Sequence, residues 1–369
     1  MINGLLPEGL RDRLPPEAEA AASILRAVLD CVAAHGYGRV APPLVEFEEE
    51  LVGRLKSARS KDLLRFVDPV SQQTLAFRPD ITAQVGRIAT TRLAAAARPL
   101  RISYGGPVLK LKATQLRPER ELIQAGAELV GSDSVAAVVE VIGIAIEALQ
   151  ACGVKSITLD LTLPDLVYIL SAGPLPMDSA KLEPVKAALD AKDVGSLVLA
   201  GGAAFLPLVT AAGPVGSAIS ALRAMGLGDD LEARFTALEA IAAAVGDGVR
   251  VTLDPTERHG FEYQSWVGFS LFAEGLAGEA GRGGSYTILH ADGREEAAVG
   301  FSLFLDPLVD AGLMQMSTRR VFIPLGSPPE IAADLRRQGW VTVAAICPGC
   351  DAVALGCTHR LESGEPRAL

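Results

Sequence analysis

Gln124, Gly126 and Glu128 stand at alternate positions of an apolar run, Glu121–Val130. With a side-chain period of two they share one face, and the glycine leaves volume between an amide and a carboxylate. A small polar ligand needs that combination of donor, acceptor and backbone access. The same pattern also fits a solvated sheet face. Asp80, followed by Ile81 and Thr82, offers a second carboxylate with a hydroxyl, or else an N-cap whose oxygen accepts an N–H of the next turn. His259, in Arg258-His259-Gly260-Phe261-Glu262-Tyr263, is a candidate catalytic group or a structural histidine beside a strand. Cys347-Pro348-Gly349-Cys350, followed by Cys357-Thr358-His359, holds four possible zinc ligands. Its six-residue gap also reads as a short helix over 352–355, with ordinary buried cysteines.

Common catalytic signatures are missing from the sequence. It has no phosphate loop ending in Lys-Ser/Thr, no dinucleotide fingerprint, no nucleophile elbow and no His-Glu-x-x-His. At 369 residues the chain has room for one to three domains and a large core. Hydrophobic residues make up 49% and charged residues 21%, which excludes a disordered chain. A net charge of −10 argues against a nucleic-acid or anionic-membrane surface. Five cysteines without an even framework suggest a reducing compartment, and the N-terminus lacks a basic stretch followed by an apolar run, so a cytoplasmic protein is expected. Val194–Leu222 is uncharged and long enough to span a bilayer, but Pro207 and Pro214 with Gly201, Gly202, Gly213 and Gly216 mark it as small-residue buried helices joined by turns.

The elements that must position these groups follow from periodicity. Pro16–His35 is a helix with Leu25, Val28, Leu29 and Val32 on its buried stripe and Gly36 at its end. Arg39–Phe47 reads as a strand held at an edge by Pro42 and Pro43. Asp80 starts a helix to about Ala97, and strands follow at Leu100–Lys112 and Glu121–Val130. Ser134–Cys152 is helical, and Ser156–Leu163 alternates as a half-buried strand. Residues 164–247 turn Ala-rich and helical, strand signals return over 249–305, and a strand–helix–strand piece follows Asp310. Short connections between most strands favour an antiparallel α+β sheet. The expected divisions are a core at 1–163 and 248–315, an inserted helical subdomain at 164–247, and a short C-terminal α/β segment at 316–369.

Taken together, the segments resemble the histidyl-tRNA synthetases, of class II. Phe77-Arg78-Pro79-Asp80-Ile81-Thr82-Ala83 is similar to that family's Arg-Pro-Glu-Gly-Thr-Ala segment. Tyr104-Gly105-Gly106-Pro107 resembles the entry to motif 2, and Gln124-x-Gly-x-Glu128 the strand after it. Pro43 matches the motif 1 proline of the dimer interface, His259–Tyr263 the histidine-specific motif, and Ala298–Phe301 the opening of motif 3. The resemblance covers about residues 5 to 315. It implies the class II fold: an antiparallel sheet flanked by helices.

The departures fall on the cations. Lys110 stands at the motif 2 arginine position, Lys112 at the nearby glutamate, His259 at the histidine-motif arginine and Pro307 at the motif 3 arginine. Phe304 replaces a small glycine, where its ring is expected to obstruct an adenine site. One strong transition-state contact is worth about 3–4 kcal/mol, so losing three cations makes adenylation improbable. Only some fifty residues follow the core, too few for an anticodon-binding domain. A synthetase core so altered resembles the regulatory subunits of short-form ATP phosphoribosyltransferase. That resemblance implies a non-catalytic chain needed for activity of the short catalytic subunit and for feedback inhibition by L-histidine in the first step of histidine biosynthesis. It also implies self-association as a dimer within a hetero-octamer, with no cofactor and no nucleic-acid or membrane partner. Carried over by position, Asp80, Thr82, Arg120, Gln124, Glu128, Tyr263 and Tyr286 become candidate histidine contacts, Arg120 for a carboxylate and the tyrosines for the ring. Gln264 stands at the family's second tyrosine and puts the pose in doubt. The alternative is an enzyme that adenylates histidine without tRNA, with Lys110 and Lys112 as phosphate ligands.

Overall fold

A computed structural model describes residues 5–52, 63–112, 118–258, 264–315 and 319–369. Two compact units are present, Met1–Met314 and Gln315–Leu369. The first begins with α1 (Glu17–Ala34), whose Ile24, Val28, Leu29 and Val32 are buried as their helical spacing requires. Next come β1 (Gly38–Arg39), β2 (Val45–Phe47), α2 (Glu48–Val52), β3 (Arg65–Val67) and β4 (Thr74–Phe77). The expected strand over 39–47 is therefore two. Prolines donate no ladder hydrogen bond, and the carbonyls of Pro42 and Pro43 instead accept from Arg78 Nη1 (2.9 Å) and Gln84 Nε2 (2.7 Å).

Helix α3 (Thr82–Thr90) is shorter than the expected 81–97. The hydroxyls of Thr90 and Thr91 donate back to the carbonyls of Gly86 and Arg87, which competes with helix propagation. The Arg98 guanidinium then collects the carbonyls of Ala89, Leu93 and Ala96 while pairing with Glu296. Strands β5 (Leu100–Leu109) and β6 (Glu121–Val130) run antiparallel in register, Tyr104 opposite Gly126. Helix α4 (Val135–Ala151) is capped by the Ser134 hydroxyl, which accepts from Ala137 N–H. Strand β7 (Ile157–Thr162) follows.

The Ala-rich stretch holds α5 (Leu166–Ala172), α6 (Ser179–Asp190), α7 (Val194–Leu199), α8 (Leu206–Thr210), the short β8 (Gly213–Pro214), α9 (Val215–Ala224) and α10 (Asp229–Val245). Within it, the uncharged Val194–Leu222 segment is broken into short helices at its glycines and prolines. Among the described residues no helix is long and apolar enough to cross a membrane. Strands β9 (Arg250–Asp254), β10 (Gln264–Ala273), β11 (Gly281–Leu289) and β12 (Glu295–Phe304) and helix α11 (Asp306–Asp310) complete the unit.

Its main sheet has nine strands in the order β1-β5-β6-β12-β11-β10-β7-β9-β8. The expected antiparallel sheet is in fact mixed, because β1 pairs parallel to β5 and β7 parallel to β9. Parallel neighbours need a crossover, and the helical stretch supplies the one between β7 and β9. Ala125, Ala127 and Leu129 on one face of β6 pack into a core with Val28 of α1 and Val138 and Ile142 of α4. On the other face, Leu122 and Val130 join Ile81, Val85, Tyr104 and Tyr286 in a second core.

In the second unit, β13 (Arg320–Ile323), α12 (Pro329–Arg337) and β14 (Val341–Ala344) follow the expected strand–helix–strand. A hairpin of β15 (His359–Glu362) and β16 (Glu365–Ala368) extends the sheet beside β13 and carries no strong alternation in sequence. The expected helix at 352–355 is a set of turns, in which Asp351 caps Val353 N–H at 2.9 Å.

Candidate functional site

Glu128 and Gln124 are not on a solvated face; they are 1% and 0% exposed. The Glu128 carboxyl accepts three hydroxyl hydrogen bonds, from Thr82 Oγ1 (3.1 Å), Tyr104 Oη (2.9 Å) and Tyr286 Oη (2.7 Å). Gln124 Oε1 accepts from Ile81 N–H (3.0 Å), and its Nε2 donates to Asp80 Oδ2 (2.8 Å) and Ser302 Oγ (2.6 Å). Asp80 Oδ1 accepts from Thr82 N–H at 2.7 Å, so the capping role and membership of the cluster hold together. Tyr104 Oη and Ser302 Oγ lie 2.9 Å apart and close the network.

Four strands, β5, β6, β12 and β11, meet α3 here, for reasons visible in the register. Glu128 of β6 lies opposite Gly300 of β12, and Gln124 opposite Phe304. A Cβ on Gly300 would fall within the Glu128 carboxylate and 2.8 Å from the Ala127 carbonyl oxygen, so only glycine leaves that carboxylate its place. The volume left by Gly126 is not open. A Cβ there would overlap the Phe301 carbonyl and come 2.7 Å from the Tyr104 hydroxyl, because the tyrosine across the ladder has filled it.

Burial acts first on this cluster. Complete removal from water pushes the Glu128 carboxyl up to about 8, against the pull of the Tyr286, Tyr104 and Thr82 hydroxyls, while the Asp80 charge adds to the rise. The Tyr104 hydroxyl is driven well above its ordinary value by burial and then by Glu128 and Asp80. Removing one donor tests this balance. Tyr286→Phe is expected to cost about 1–2 kcal/mol and to raise Glu128 further. Urea unfolding near neutral pH reads the first effect; a stability unchanged within a few tenths would show that this bond contributes nothing net.

Of the candidate contacts, Asp80, Thr82, Gln124, Glu128 and Tyr286 converge. Arg120 has other partners: its Nε donates to the Lys110 carbonyl (3.1 Å) and its Nη1 to the Glu8 carbonyl (3.4 Å). His259 and Tyr263 lie outside the described residues. Tyr104 and Ser302 belong to the cluster without having been singled out. Their signal was present, since each pairs with Gly126 in the ladder, and a glycine flanked by polar positions marks where larger neighbours enter.

Buried beside α3, Arg78 and Gln84 tie the Pro42–Pro43 carbonyls into the core, with Arg78 Nε donating to Pro107 O at 2.8 Å. Phe304 is buried, with the Arg282 guanidinium 5.5 Å and Lys110 Nζ 5.7 Å from its ring centre, so both cations lie near aromatic surface. Pro307 starts α11, where its missing N–H costs nothing. In the second unit, Cys347 and Cys350 Sγ are 2.8 Å apart, Cys357 is buried with Phe322 and Ala352, and His359 packs edge-on against Trp340.

The nine-stranded sheet flanked by α1 and α4, with a polar cluster under α3, defines a protein of the histidyl-tRNA synthetase class. A family profile described as histidyl-tRNA synthetase matches residues 9–308. Solved structures agree on the fold. An ATP phosphoribosyltransferase regulatory subunit/histidyl-tRNA synthetase from Bacillus halodurans superposes with a TM-score of 0.82 at 22% identity, covering 96% of each chain. A histidyl-tRNA synthetase from Nostoc gives 0.78 at 16% identity, over 97% of this chain and 90% of that one. Among curated sequences, the ATP phosphoribosyltransferase regulatory subunit of Paramagnetospirillum magneticum is 42% identical, over 97% of this chain and 96% of its own. That of Rhodospirillum centenum is 41% identical over 98% and 95%. The chain belongs to the ATP phosphoribosyltransferase regulatory subunits, and not to the catalytic ones.

Proposed function

We propose that this chain is required for phosphoribosyl transfer by a short catalytic subunit, and that the Glu128 cluster binds the L-histidine that inhibits the complex. The observation that carries the reading is a buried carboxyl, Glu128, held by three hydroxyls beside Asp80 and Gln124. A free amino acid brings an ammonium group, which meets carboxylates, and an imidazole, which meets hydroxyl and amide groups. Tyr263 remains a candidate for the ring by resemblance alone. Arg120 is likewise a candidate for the ligand carboxylate by resemblance alone, its Nε and Nη1 donating to the Lys110 and Glu8 carbonyls. Self-association through the Pro43 segment, and a hetero-octamer with the catalytic subunit, belong to the same proposal.

Binding an ammonium ion requires the ionised carboxylate, yet burial holds Glu128 protonated up to about pH 8. Histidine affinity is therefore expected to rise with pH toward that value, by up to about tenfold per pH unit. Calorimetry across pH 6 to 8 reads this directly; an affinity that stays constant would remove Glu128 from the site.

The deciding assay is phosphoribosyl transfer to ATP by the short catalytic subunit of the same genome, with and without this chain, then with histidine. Stimulation by the chain, and an inhibition that Glu128→Gln weakens, are the expected results. Absence of both stimulation and co-purification would overturn the proposal. Lys110, the phosphate ligand that adenylation would use, sits with its Nζ 5.7 Å from the centre of the Phe304 ring.

A further inference from the structure

Cys31, His35 and Glu147 bring a thiol, an imidazole and a carboxylate together at one corner of the first unit. Each offers one ligand atom, and all three atoms lie within 4.8 Å of one another. Among the described residues no other trio of such groups converges this way. The placement follows from the helices. Cys31 and His35 are four residues apart, hence on one face at the end of α1. Glu147 projects from the last turns of α4, and the two helices are fixed against each other through Ile24, Val28, Val32, Ala145 and Leu149 of a shared core. His35 Nε2 and Glu147 Oε2 are already 2.9 Å apart, and their side chains are 37% and 58% exposed, so the corner opens to water.

From this geometry we infer that Cys31, His35 and Glu147 form a binding site for a divalent transition-metal ion of the zinc type. Mixed sulfur, nitrogen and oxygen ligation suits Zn²⁺ or Co²⁺ and disfavours Mg²⁺ and Ca²⁺, which take oxygen. At ordinary metal–ligand lengths a tetrahedral nitrogen–oxygen edge is about 3.3–3.4 Å, so the ion enters by widening the His35–Glu147 pair by about 0.5 Å. Three protein ligands leave the fourth position to water on the exposed side. The Cys31 thiol is held protonated, pushed up to about 11 by burial and by Glu147. On binding, the metal–sulfur bond forms as the S–H bond breaks and that proton passes to the buffer, and the metal–nitrogen bond forms as His35 Nε2 gives up the hydrogen it shares with Glu147, the neutral ring keeping its proton on Nδ1; no electron is transferred.

The test uses the full chain with Co²⁺ as spectroscopic probe and Zn²⁺ as competitor. The chain holds a second thiol pair, Cys347 and Cys350, so the variants must separate the two. Expected is a near-ultraviolet thiolate-to-cobalt band that survives Cys347→Ser/Cys350→Ser and disappears in Cys31→Ser. His35→Ala and Glu147→Gln, both on exposed side chains, are expected to weaken Zn²⁺ by more than the roughly 10–100-fold that losing an outer-shell partner costs. A band unaffected by Cys31→Ser, a band lost only with the tail cysteines, or no metal uptake by the unaltered chain would each overturn the assignment. Far-ultraviolet dichroism of each variant confirms that α1 and α4 remain folded.

Discussion

Glu128→Gln is expected to become steadily more stable relative to the unaltered chain as pH rises from 5 to 9. Unfolded, a glutamate ionises near 4.5; folded and fully buried, Glu128 does so near about 8. The folded state therefore holds the proton more tightly, and the stability this confers is complete below about 4.5 and lost as pH climbs through 8. The gap of about 3.5 pH units corresponds to about 5 kcal/mol, most of it lost between pH 5 and 8. Glutamine keeps the shape and cannot ionise; its one carbonyl oxygen can replace the oxygen that accepts from Tyr104 and Thr82, while its NH2 stands in place of the oxygen facing Tyr286 and donates to that hydroxyl. Comparing the two proteins cancels groups that titrate the other way, such as Glu296 and Glu140, whose arginine partners hold them low. Urea unfolding at each pH gives the difference. A difference flat across this range would mean that Glu128 stays ionised in the fold.

Gly300→Ala is the second large effect. The added methyl would lie within the Glu128 carboxylate, and the β12 backbone cannot retreat because it is paired on both sides, with β6 and β11. The carboxyl must leave, which breaks the hydrogen bonds it accepts from the Tyr104, Tyr286 and Thr82 hydroxyls. A loss of about 3–5 kcal/mol is expected, since each buried hydrogen bond broken costs about 1–3 kcal/mol. A double-mutant cycle isolates the cause. With Glu128→Ala already in place the carboxylate clash is gone and only the close approach to the Ala127 carbonyl remains, so Gly300→Ala should cost less there by about 0.5–3 kcal/mol. Strict additivity would show that the glycine serves the sheet and not the carboxylate.

How much of this was legible in sequence differs by element. Helices α1 and α4 were readable because their apolar positions recur with a single period and face a single core, and strand β6 because its residues alternate, although both of its faces are buried, in two cores. Strand 39–47 was misread because two prolines look like an edge in pattern but become a break once Arg78 and Gln84 claim their carbonyls. The end of α3 was misread for a similar reason: Thr90 and Thr91 turn their hydroxyls back on the helix, a local competition that no apolar spacing records. Hairpin β15–β16 was missed because neither strand alternates cleanly. In the site, Asp80, Thr82, Gln124, Glu128 and Tyr286 were found by type and motif. Tyr104 and Ser302 were not, since their place depends on which strand lies beside β6. Arg120 was chosen for its charge, and in the fold it donates to the Lys110 and Glu8 carbonyls.

Gln124 and Ser302 are joined by a hydrogen bond across 178 residues of chain. During synthesis at about 5–20 residues per second, β6 leaves the ribosome roughly 10–35 s before the strand that must cover its second edge. β5 is already available on the first edge, but the edge destined for β12 stays unpaired over that interval. That strand is apolar and regular, and the unpaired backbone along its open edge is the kind that recruits another chain. The nascent protein is thus vulnerable to aggregation at this edge over that interval, and a chain interrupted before residue 295 leaves the edge without its β12 partner.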